Sequence, residues 1–336
     1  MGGEFAEVKV PYGEIAQVPS ALPFKDDSQL GLYETYDFKG WSSSIGGELV
    51  DLSTIIVTSD EEFYAIFEKV DDVRKIVHYD WFEATPYDYD EAQWEFMKSN
   101  YKTSGLMIYP KGHNTGKPLA LRGKITIPRR INGVNVIGLG SFPESDGHEI
   151  THVFMEDDGS GTRAPLTMIG SRAFQFVETL KYFDFANSSV RFINTYAFQR
   201  CSLDMNLMSF ADAPLRGVNG YAFNQGFTAS TPTTVHIPAT LIYAGSSAFQ
   251  YGFMPAGSNL QIGDPDNMSI LDLSYSVNAS SYEKFVQKEA YLFTNVDFYS
   301  AVYETNAWDT ILYESGNDKV TVQMCFGDIS GAWNLV

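Results

Sequence analysis

A phrase of six residues recurs five times between Ile137 and Phe249, and it constrains the fold more than any other feature of the chain. The copies are Ile137–Phe142, Ile169–Phe174, Ile193–Phe198, Val218–Phe223 and Ala244–Phe249. Their phenylalanines are 32, 24, 25 and 26 residues apart. Repeats of this length are single supersecondary units that cannot bury their own apolar residues, so neighbouring units must stack to form a core. The repeat therefore predicts a solenoid.

A short run of alternating apolar residues precedes each copy of the phrase, such as Val153/Met155 and Phe183/Phe185. Alternation with period two predicts a strand with one buried face. Within the phrase, we expect glycine or asparagine to form a left-handed bend, alanine to permit close stacking and phenylalanine to fill the space between coils. These structural anchors are Phe142, Phe174, Phe198, Phe223 and Phe249.

The strand and phrase together resemble the BspA-like (Treponema-type) leucine-rich repeat, whose consensus runs V-x-I-P … I-G-x-x-A-F. The likeness covers about residues 117–265, and we assign the solenoid to 117–275. Two departures stand out, an insertion at Glu156–Pro165 and the replacement of glycine by Asn194 and Asn219. We interpret both as loops or capping within the same fold.

Residues 1–70 follow a different pattern, which includes Val10-Pro-Tyr-Gly13, Phe38-Lys-Gly-Trp41 and Val57-Thr-Ser-Asp60. The order and spacing resemble a Listeria–Bacteroides (internalin B-type) repeat, which implies a small β-grasp-like module. Such a module normally opens with a strand upstream of the Tyr-Gly turn, and only Met1–Val8 precedes that turn here. We expect either that the chain is a piece of a longer polypeptide or that another element covers the open edge.

Two further segments complete the predicted organisation: an aromatic connector at 71–116 and a C-terminal cap at 276–336. Within the connector, Asp90–Asn100 is a candidate short helix, and Ser280–Ala290 is another in the cap. The predicted fold class is therefore mainly β, with a β-grasp-like module, a leucine-rich-repeat-type solenoid and a mixed α/β cap. The connector's Trp81 and Trp94 either offer flat faces to a sugar or protein partner or pack the joint between the modules.

Charge narrows the range of partners. The chain has 23 basic and 42 acidic residues, a net charge of −19. A field of that sign repels phosphate backbones and anionic lipid, and no apolar run is long enough to cross a membrane, so we expect neither nucleic-acid binding nor membrane insertion. Two cysteines, Cys201 and Cys325, are too few for a disulfide framework, and we interpret Cys201 as a core residue.

His148-Glu-Ile-Thr-His152 is a literal H-E-x-x-H, the zinc-protease motif, in which a helix brings both histidines to one face. Here Val153 and Met155 continue the segment as a strand. Residues four apart in a strand are separated by roughly 13 Å, at about 3.3 Å per residue, so the two imidazoles cannot share a zinc ion. We predict no metal site and no cofactor.

Three acidic clusters are candidates for catalysis or calcium binding: Asp88/Asp90/Glu91, Glu156/Asp157/Asp158 and Asp264/Asp266. A glycosidase requires two carboxylates across a cleft, which spacing along the chain does not establish. No G-x-S-x-G elbow and no phosphate-binding glycine loop occurs. The sequence therefore predicts a protein that is not an enzyme.

The two resemblances imply a recognition or adhesion module of a modular bacterial surface protein that binds a protein or glycan on a cell surface. We place the contact on the outward side chains of the repeat strands: Thr126, His152, Phe154, Asp184, Ser209 and His236. The expected location is extracellular, at the bacterial cell surface.

Two alternatives remain open at this point. In the first, Met1 is the native start and the chain is a phage virion component, a fibre or decoration protein that contacts neighbouring subunits. In the second, it is a carbohydrate-binding or carbohydrate-active protein.

Overall fold

The computed structural model describes residues 6–19, 23–94, 97, 99–142, 147–210, 213–238, 240–241, 243–245 and 248, and four strands beyond them. The protein is mainly β, and its centre is a β-solenoid of about four turns. Among the described residues there is no α-helix, and hence none that could cross a membrane. Short 3-10 turns occur instead, at Leu52–Thr54, Val73–Lys75, Glu91–Gln93 and His113–Thr115.

The N-terminal module is a three-stranded antiparallel sheet in the order β2-β1-β3. Its strands are β1 (Thr35–Ser42), β2 (Leu49–Val50) and β3 (Tyr64–Val70). The Phe38 ring packs against Trp41 and Phe67 at centroid distances of 5.4 and 5.7 Å. The strands fall within the segment expected to form a small β module, and the β-grasp assignment stays a prediction.

The aromatic segment forms a long hairpin that continues the solenoid sheet. Strands β4 (Phe82–Asp90) and β5 (Lys102–Pro110) pair in register over their whole length. In place of the candidate helix at Asp90–Asn100, the described residues contain the 3-10 turn Glu91–Gln93, which the Asp90 carboxylate caps by accepting from the Ala92 amide. β5 then pairs in parallel with the first strand of the repeat phrase, so this segment covers the solenoid's first coil.

The solenoid contains twelve described strands. They are β6 (Arg122–Ile127), β7 (Arg130–Ile131), β8 (Val134–Leu139), β9 (Glu149–Met155), β10 (Met168–Ile169), β11 (Tyr182–Phe183), β12 (Phe192–Ile193), β13 (Leu203–Asp204), β14 (Gly217–Val218), β15 (Phe227–Thr228), β16 (Thr234–Ile237) and β17 (Tyr243–Ala244). The repeat phrases supply β17, β14, β12, β10 and β8 of a sheet that continues into the hairpin strands β5 and β4 in that order, parallel from β17 to β5. The alternating runs supply the parallel sheet β11-β9-β6 and the strand β16, and the short strands β13 and β15 form a separate parallel pair.

Four strands lie beyond the repeats: β18 (Asn259–Ile262), β19 (Asp297–Phe298), β20 (Trp308–Ser315) and β21 (Asp318–Cys325). They join β16 in a sheet ordered β16-β18-β21-β20-β19. The candidate helix at Ser280–Ala290, the anchor Phe249 and the acidic residues Asp264 and Asp266 lie outside the described residues.

A column of stacked phenylalanines runs through the solenoid core. Phe142, Phe174, Phe198 and Phe223 have no solvent exposure. Successive rings lie 5.5, 5.5 and 5.2 Å apart, centroid to centroid, with interplanar angles of 17°, 17° and 4°. Each ring thus buries its faces against the coils before and after it, which none of these coils achieves alone.

The glycine of the repeat phrase serves close approach, and the expectation of a left-handed bend at that position was wrong. A Cβ added to Gly170 would lie 2.6 Å from the Leu139 carbonyl oxygen of the previous coil. Where asparagine replaces this glycine, its side chain bonds to the next residue and to the next coil. Asn194 Oδ1 accepts from the Thr195 amide at 2.7 Å and from Asn219 Nδ2 at 3.2 Å. The left-handed residues lie two positions further on, at Arg172, Tyr196 and Tyr221.

The phenylalanine column leads to a stability prediction. Phe198→Ala removes a ring that contacts Phe174 and Phe223 on its faces, and we expect it to lower the free energy of unfolding by about 3–5 kcal/mol. Chemical denaturation measures this change. Leu207→Ala is the matched control because Leu207 is 46% exposed in the same solenoid, and a loss of similar size there would contradict the assignment.

Candidate recognition surface

The N-terminal module packs on the outward face of β6, β9 and β11, which we name the strand face. Phe154 is fully buried, with its ring 5.6 Å from that of Tyr33 and 5.1 Å from that of Tyr182. Thr126 is 4% exposed, and its hydroxyl donates to the Val73 carbonyl oxygen at 2.8 Å. The expectation that these two side chains face solvent was wrong, because the segment around Tyr33 and the 3-10 turn Val73–Lys75 cover them.

A buried lysine fastens the module to this face. The Lys124 side chain is only 4% exposed, and its ammonium donates to the carbonyl oxygens of Gly31, at 3.0 Å, and of Glu34. The Asp27 carboxylate lies 3.7 Å away and balances its charge. One backbone bond reinforces the contact, from the Asp157 amide to the carbonyl oxygen of Arg74, just beyond the module, at 2.9 Å. A buried cation that is fully bonded favours one docked arrangement, since a shifted arrangement that still buries the ammonium would leave its donors without partners.

The remaining residues predicted on the strand face differ in exposure. Asp184 is buried, and burial raises the pKa of its carboxyl group. The hydrogen bonds from the Asn187 side chain act in the opposite direction and lower that pKa. His152 is partly buried, and desolvation lowers the pKa of its imidazole to about 4, so it is uncharged at neutral pH. Ser209 is exposed, and His236 lies in β16.

Trp81 packs at the joint between the N-terminal module and the solenoid, and Trp94 packs on the solenoid sheet. Trp81 is 4% exposed and contacts Phe82 edge-on at 4.7 Å. Trp94 is half-buried, with its ring 4.6 Å from that of Phe192 in β12. The connector's exposed rings are instead Tyr79 and Tyr101.

The H-E-x-x-H residues lie in extended chain, as the alternation predicts. Glu149–Met155 is strand β9, and His148 immediately precedes it. His148 is buried, its Nδ1 accepts from the Leu121 amide at 3.1 Å, and desolvation lowers its pKa to about 4. The imidazole therefore anchors β6 to β9. Among the described residues, no group of three or more metal-ligating side chains converges.

The three acidic residues of the cluster at 88–91 lie in three different environments. Glu91 has no exposure, and its carboxylate accepts from Arg191 Nη2 at 3.0 Å and from the Tyr89 hydroxyl at 3.0 Å. Burial opposes its ionisation, but the hydrogen bonds from Arg191 and Ser99 outweigh burial and hold the pKa of Glu91 below its ordinary value. Asp90 pairs with Lys102, and Asp88 is exposed. A carboxyl group with a lowered pKa is unsuited to general-acid catalysis at neutral pH.

One edge of the solenoid carries a cluster of strained residues, which we name the turn edge. Six non-glycine residues there have φ between 55° and 66°: Arg172, Phe176, Tyr196, Arg200, Tyr221 and Gln225. They occupy two equivalent positions in three consecutive coils, just before the alanine of the phrase and two residues after the phenylalanine.

The left-handed backbone has a clear structural cause. It turns alternate amides toward the next coil, so that the amides of Arg172, Phe174 and Phe176 donate to the carbonyl oxygens of residues 195, 197 and 199. The next coil repeats the pattern from residues 196, 198 and 200. Glycine would allow the same bonds without strain, whereas each bulky residue here costs roughly 1–2 kcal/mol.

The side chains of the turn edge form exposed stacks. Tyr196 and Tyr221 stack at 5.3 Å, and the Arg172 guanidinium lies 5.7 Å from the Tyr196 ring centre. In the second row, the Arg200 guanidinium lies 5.5 Å from the ring centre of Phe176, which is 39% exposed. Such contacts contribute about 0.5–1 kcal/mol each and offset only part of the strain. Backbone strain of this kind clusters at functional sites.

The sequence composition does not indicate this surface, because a left-handed bend at a residue other than glycine leaves no compositional sign. The available signal was positional. Arginine, tyrosine and phenylalanine occupy the variable places of the repeat phrase, where small polar residues suffice for a turn.

Comparisons with protein-family models, with curated proteins and with solved structures find no match to this chain. The resemblances to the two repeat families therefore stay predictions.

The strain at the turn edge is measurable. Arg172→Gly keeps the left-handed bend without the steric clash of a Cβ, and we expect it to raise the free energy of unfolding by about 0.5–1 kcal/mol. Ser171→Gly is the control at the neighbouring exposed position, where added glycine should destabilise by about 0.5–1 kcal/mol. If chemical denaturation shows a lower free energy of unfolding for both variants, the strain assigned to Arg172 is contradicted.

The Glu91–Arg191 pair gives a pH prediction. Glu91→Gln leaves Arg191 without its buried counter-charge, and we expect it to lower the free energy of unfolding by about 3 kcal/mol. The exposed Asp88→Asn should lower it by less than about 0.5 kcal/mol.

The pKa of Glu91 in the folded state lies below the ordinary 4.5. Its contribution to stability is therefore complete above pH 4.5 and declines as the pH falls through the folded-state pKa. Denaturation of both variants from pH 7 to pH 3 should show the Glu91→Gln deficit shrinking. A difference in stability between Glu91→Gln and the unchanged chain that stays constant with pH would contradict an ionic Glu91–Arg191 pair.

Proposed function

We propose that this protein is a non-enzymatic recognition module of a modular bacterial surface protein, and that its contact surface is the turn edge of the solenoid. The observation that carries the proposal is the set of six bulky residues held in left-handed conformation. A rigid surface of this kind binds without the entropy loss of ordering loops.

The composition of the turn edge favours a protein partner. Aromatic residues and arginine are the side chains that dominate the binding energy of protein interfaces. One face of Tyr196 is turned toward Tyr221, and the Arg172 guanidinium also lies near the Tyr196 ring. Stacked aromatic rings with arginine beside them are the kind of surface that protein partners bind.

Charge favours a partner with acidic groups at the contact. The chain as a whole carries a charge of −19, whereas the turn edge presents Arg172 and Arg200, both exposed. Only Arg200 has an acidic neighbour among the described residues, Glu178 at 3.6 Å, and that pair is exposed on both sides. Exposed pairs of this kind are weak, so both guanidinium groups are available to carboxylates of a partner.

The experiment measures binding of the purified chain to immobilised extracellular proteins, including fibrinogen, fibronectin, collagen and mucin, by surface plasmon resonance. The variant Arg172→Asn/Arg200→Asn/Tyr221→Asn removes the side chains while asparagine tolerates the left-handed backbone. We expect at least a tenfold loss of affinity, about 1.4 kcal/mol.

The matched control carries three asparagine substitutions at exposed positions away from the turn edge, at Lys111, Val134 and Leu207. It should bind as the unchanged chain does. Equal affinity of the two triple variants, or no binding of the unchanged chain to any immobilised protein, would overturn the proposal.

A further inference from the structure

A cleft of about 340 Å³ lies between the N-terminal sheet and the first coil of the solenoid. Its walls include Tyr36 and Phe38 from β1, His78 and Trp81 from the segment before β4, and Ala120 and Arg122 from the start of the solenoid. The volume falls within the range of small-ligand sites, which occur preferentially where two structural units meet.

The polar groups of the cleft are fixed before any ligand arrives. Asp37 is 8% exposed, and its carboxylate bonds to His78 Nε2 at 2.8 Å and to Lys39 Nζ at 2.6 Å. Lys39 also lies 3.2 Å from Glu68. A carboxylate held by two partners from different segments keeps one orientation, so the cleft has its hydrogen-bonding groups in place and little ordering cost on binding.

The charges that line the cleft balance one another. Lys39 pairs with Asp37 at 2.6 Å, Arg122 with Glu149 at 3.3 Å and Lys124 with Asp27 at 3.7 Å. An ionic ligand would find no excess of opposite charge here. A purely aliphatic ligand would desolvate these charged groups without offering them hydrogen bonds. The balance favours an uncharged ligand rich in hydroxyl groups.

Aromatic side chains contribute apolar surface to the cleft. Phe24 lines it with 43% exposure, and Trp81 lines it with 4% exposure. The apolar C–H face of a pyranose ring packs on aromatic surface while its hydroxyl groups bond to carboxylate, imidazole and guanidinium groups. We propose that this cleft binds an uncharged saccharide of one or two rings. The site is separate from the turn edge and does not depend on it.

The test combines a glycan array of neutral, sialylated and sulfated oligosaccharides with calorimetric titration of each neutral oligosaccharide that is bound. The variant Ala120→Phe fills the cleft without removing any of its polar groups. The control Ala84→Phe adds the same ring at an exposed position of β4, which does not line the cleft. We expect a neutral oligosaccharide to bind the unchanged chain and Ala84→Phe equally, and Ala120→Phe at least tenfold more weakly.

A second variant guards against a failure of Ala120→Phe to fold. His78→Gln changes a side chain that is about half exposed and should weaken the same oligosaccharide at least threefold, with no loss of thermal stability. Absence of any neutral glycan on the array, preference for sialylated or sulfated glycans, or equal binding by all variants would overturn the inference. None of these results bears on protein binding at the turn edge, which the triple asparagine variant tests independently.

Discussion

The stacking of one coil on the next is the constraint on which the rest of the structure depends. Phe142, Phe174, Phe198 and Phe223 each need the ring of a neighbouring coil to become fully buried. The backbone has the same need, because alternate amides of each turn donate to carbonyl oxygens of the next coil. Those bonds require left-handed residues at fixed positions. The turn edge is therefore a direct consequence of how the coils stack, and only its choice of side chains is left free for function.

The N-terminal module covers one of the two sheets of the solenoid, the strand face. Without the segment around Tyr33 and the turn at Val73, this sheet would expose the side chains of Lys124, Thr126 and Phe154. On the other sheet, Glu91 reaches across 100 residues of sequence to Arg191 and fastens the β4–β5 connection over β12. With both sheets contacted in this way, the turn edge presents exposed aromatic and arginine side chains at the solenoid surface.

Local patterns in the sequence predict the repeating part of this fold well. The spacing of Phe142 to Phe223 fixes the coil length, and the alternation at Val153 and Met155 identifies β9 and rules out a helix for His148–His152. Long-range contacts leave no such pattern. Phe154 and Thr126 sit at positions that would face solvent in an isolated solenoid, and nothing local to them signals Tyr33 or Val73. Likewise, nothing local separates Glu91 from its less buried neighbours Asp88 and Asp90, because the arginines that pair with it, Arg191 and Arg216, lie in distant coils.

Amide hydrogen exchange tests most directly the central claim that the strand face is closed and recognition is left to the turn edge. The amide of Asp157 in the solenoid donates to the Arg74 carbonyl oxygen of the docked segment, so its exchange reports on that contact. A closed strand face predicts that this amide exchanges as slowly as the Phe198 amide in the solenoid core. Exchange as fast as in the exposed loop at Gly159–Gly161 would show the strand face to be open and would contradict the account.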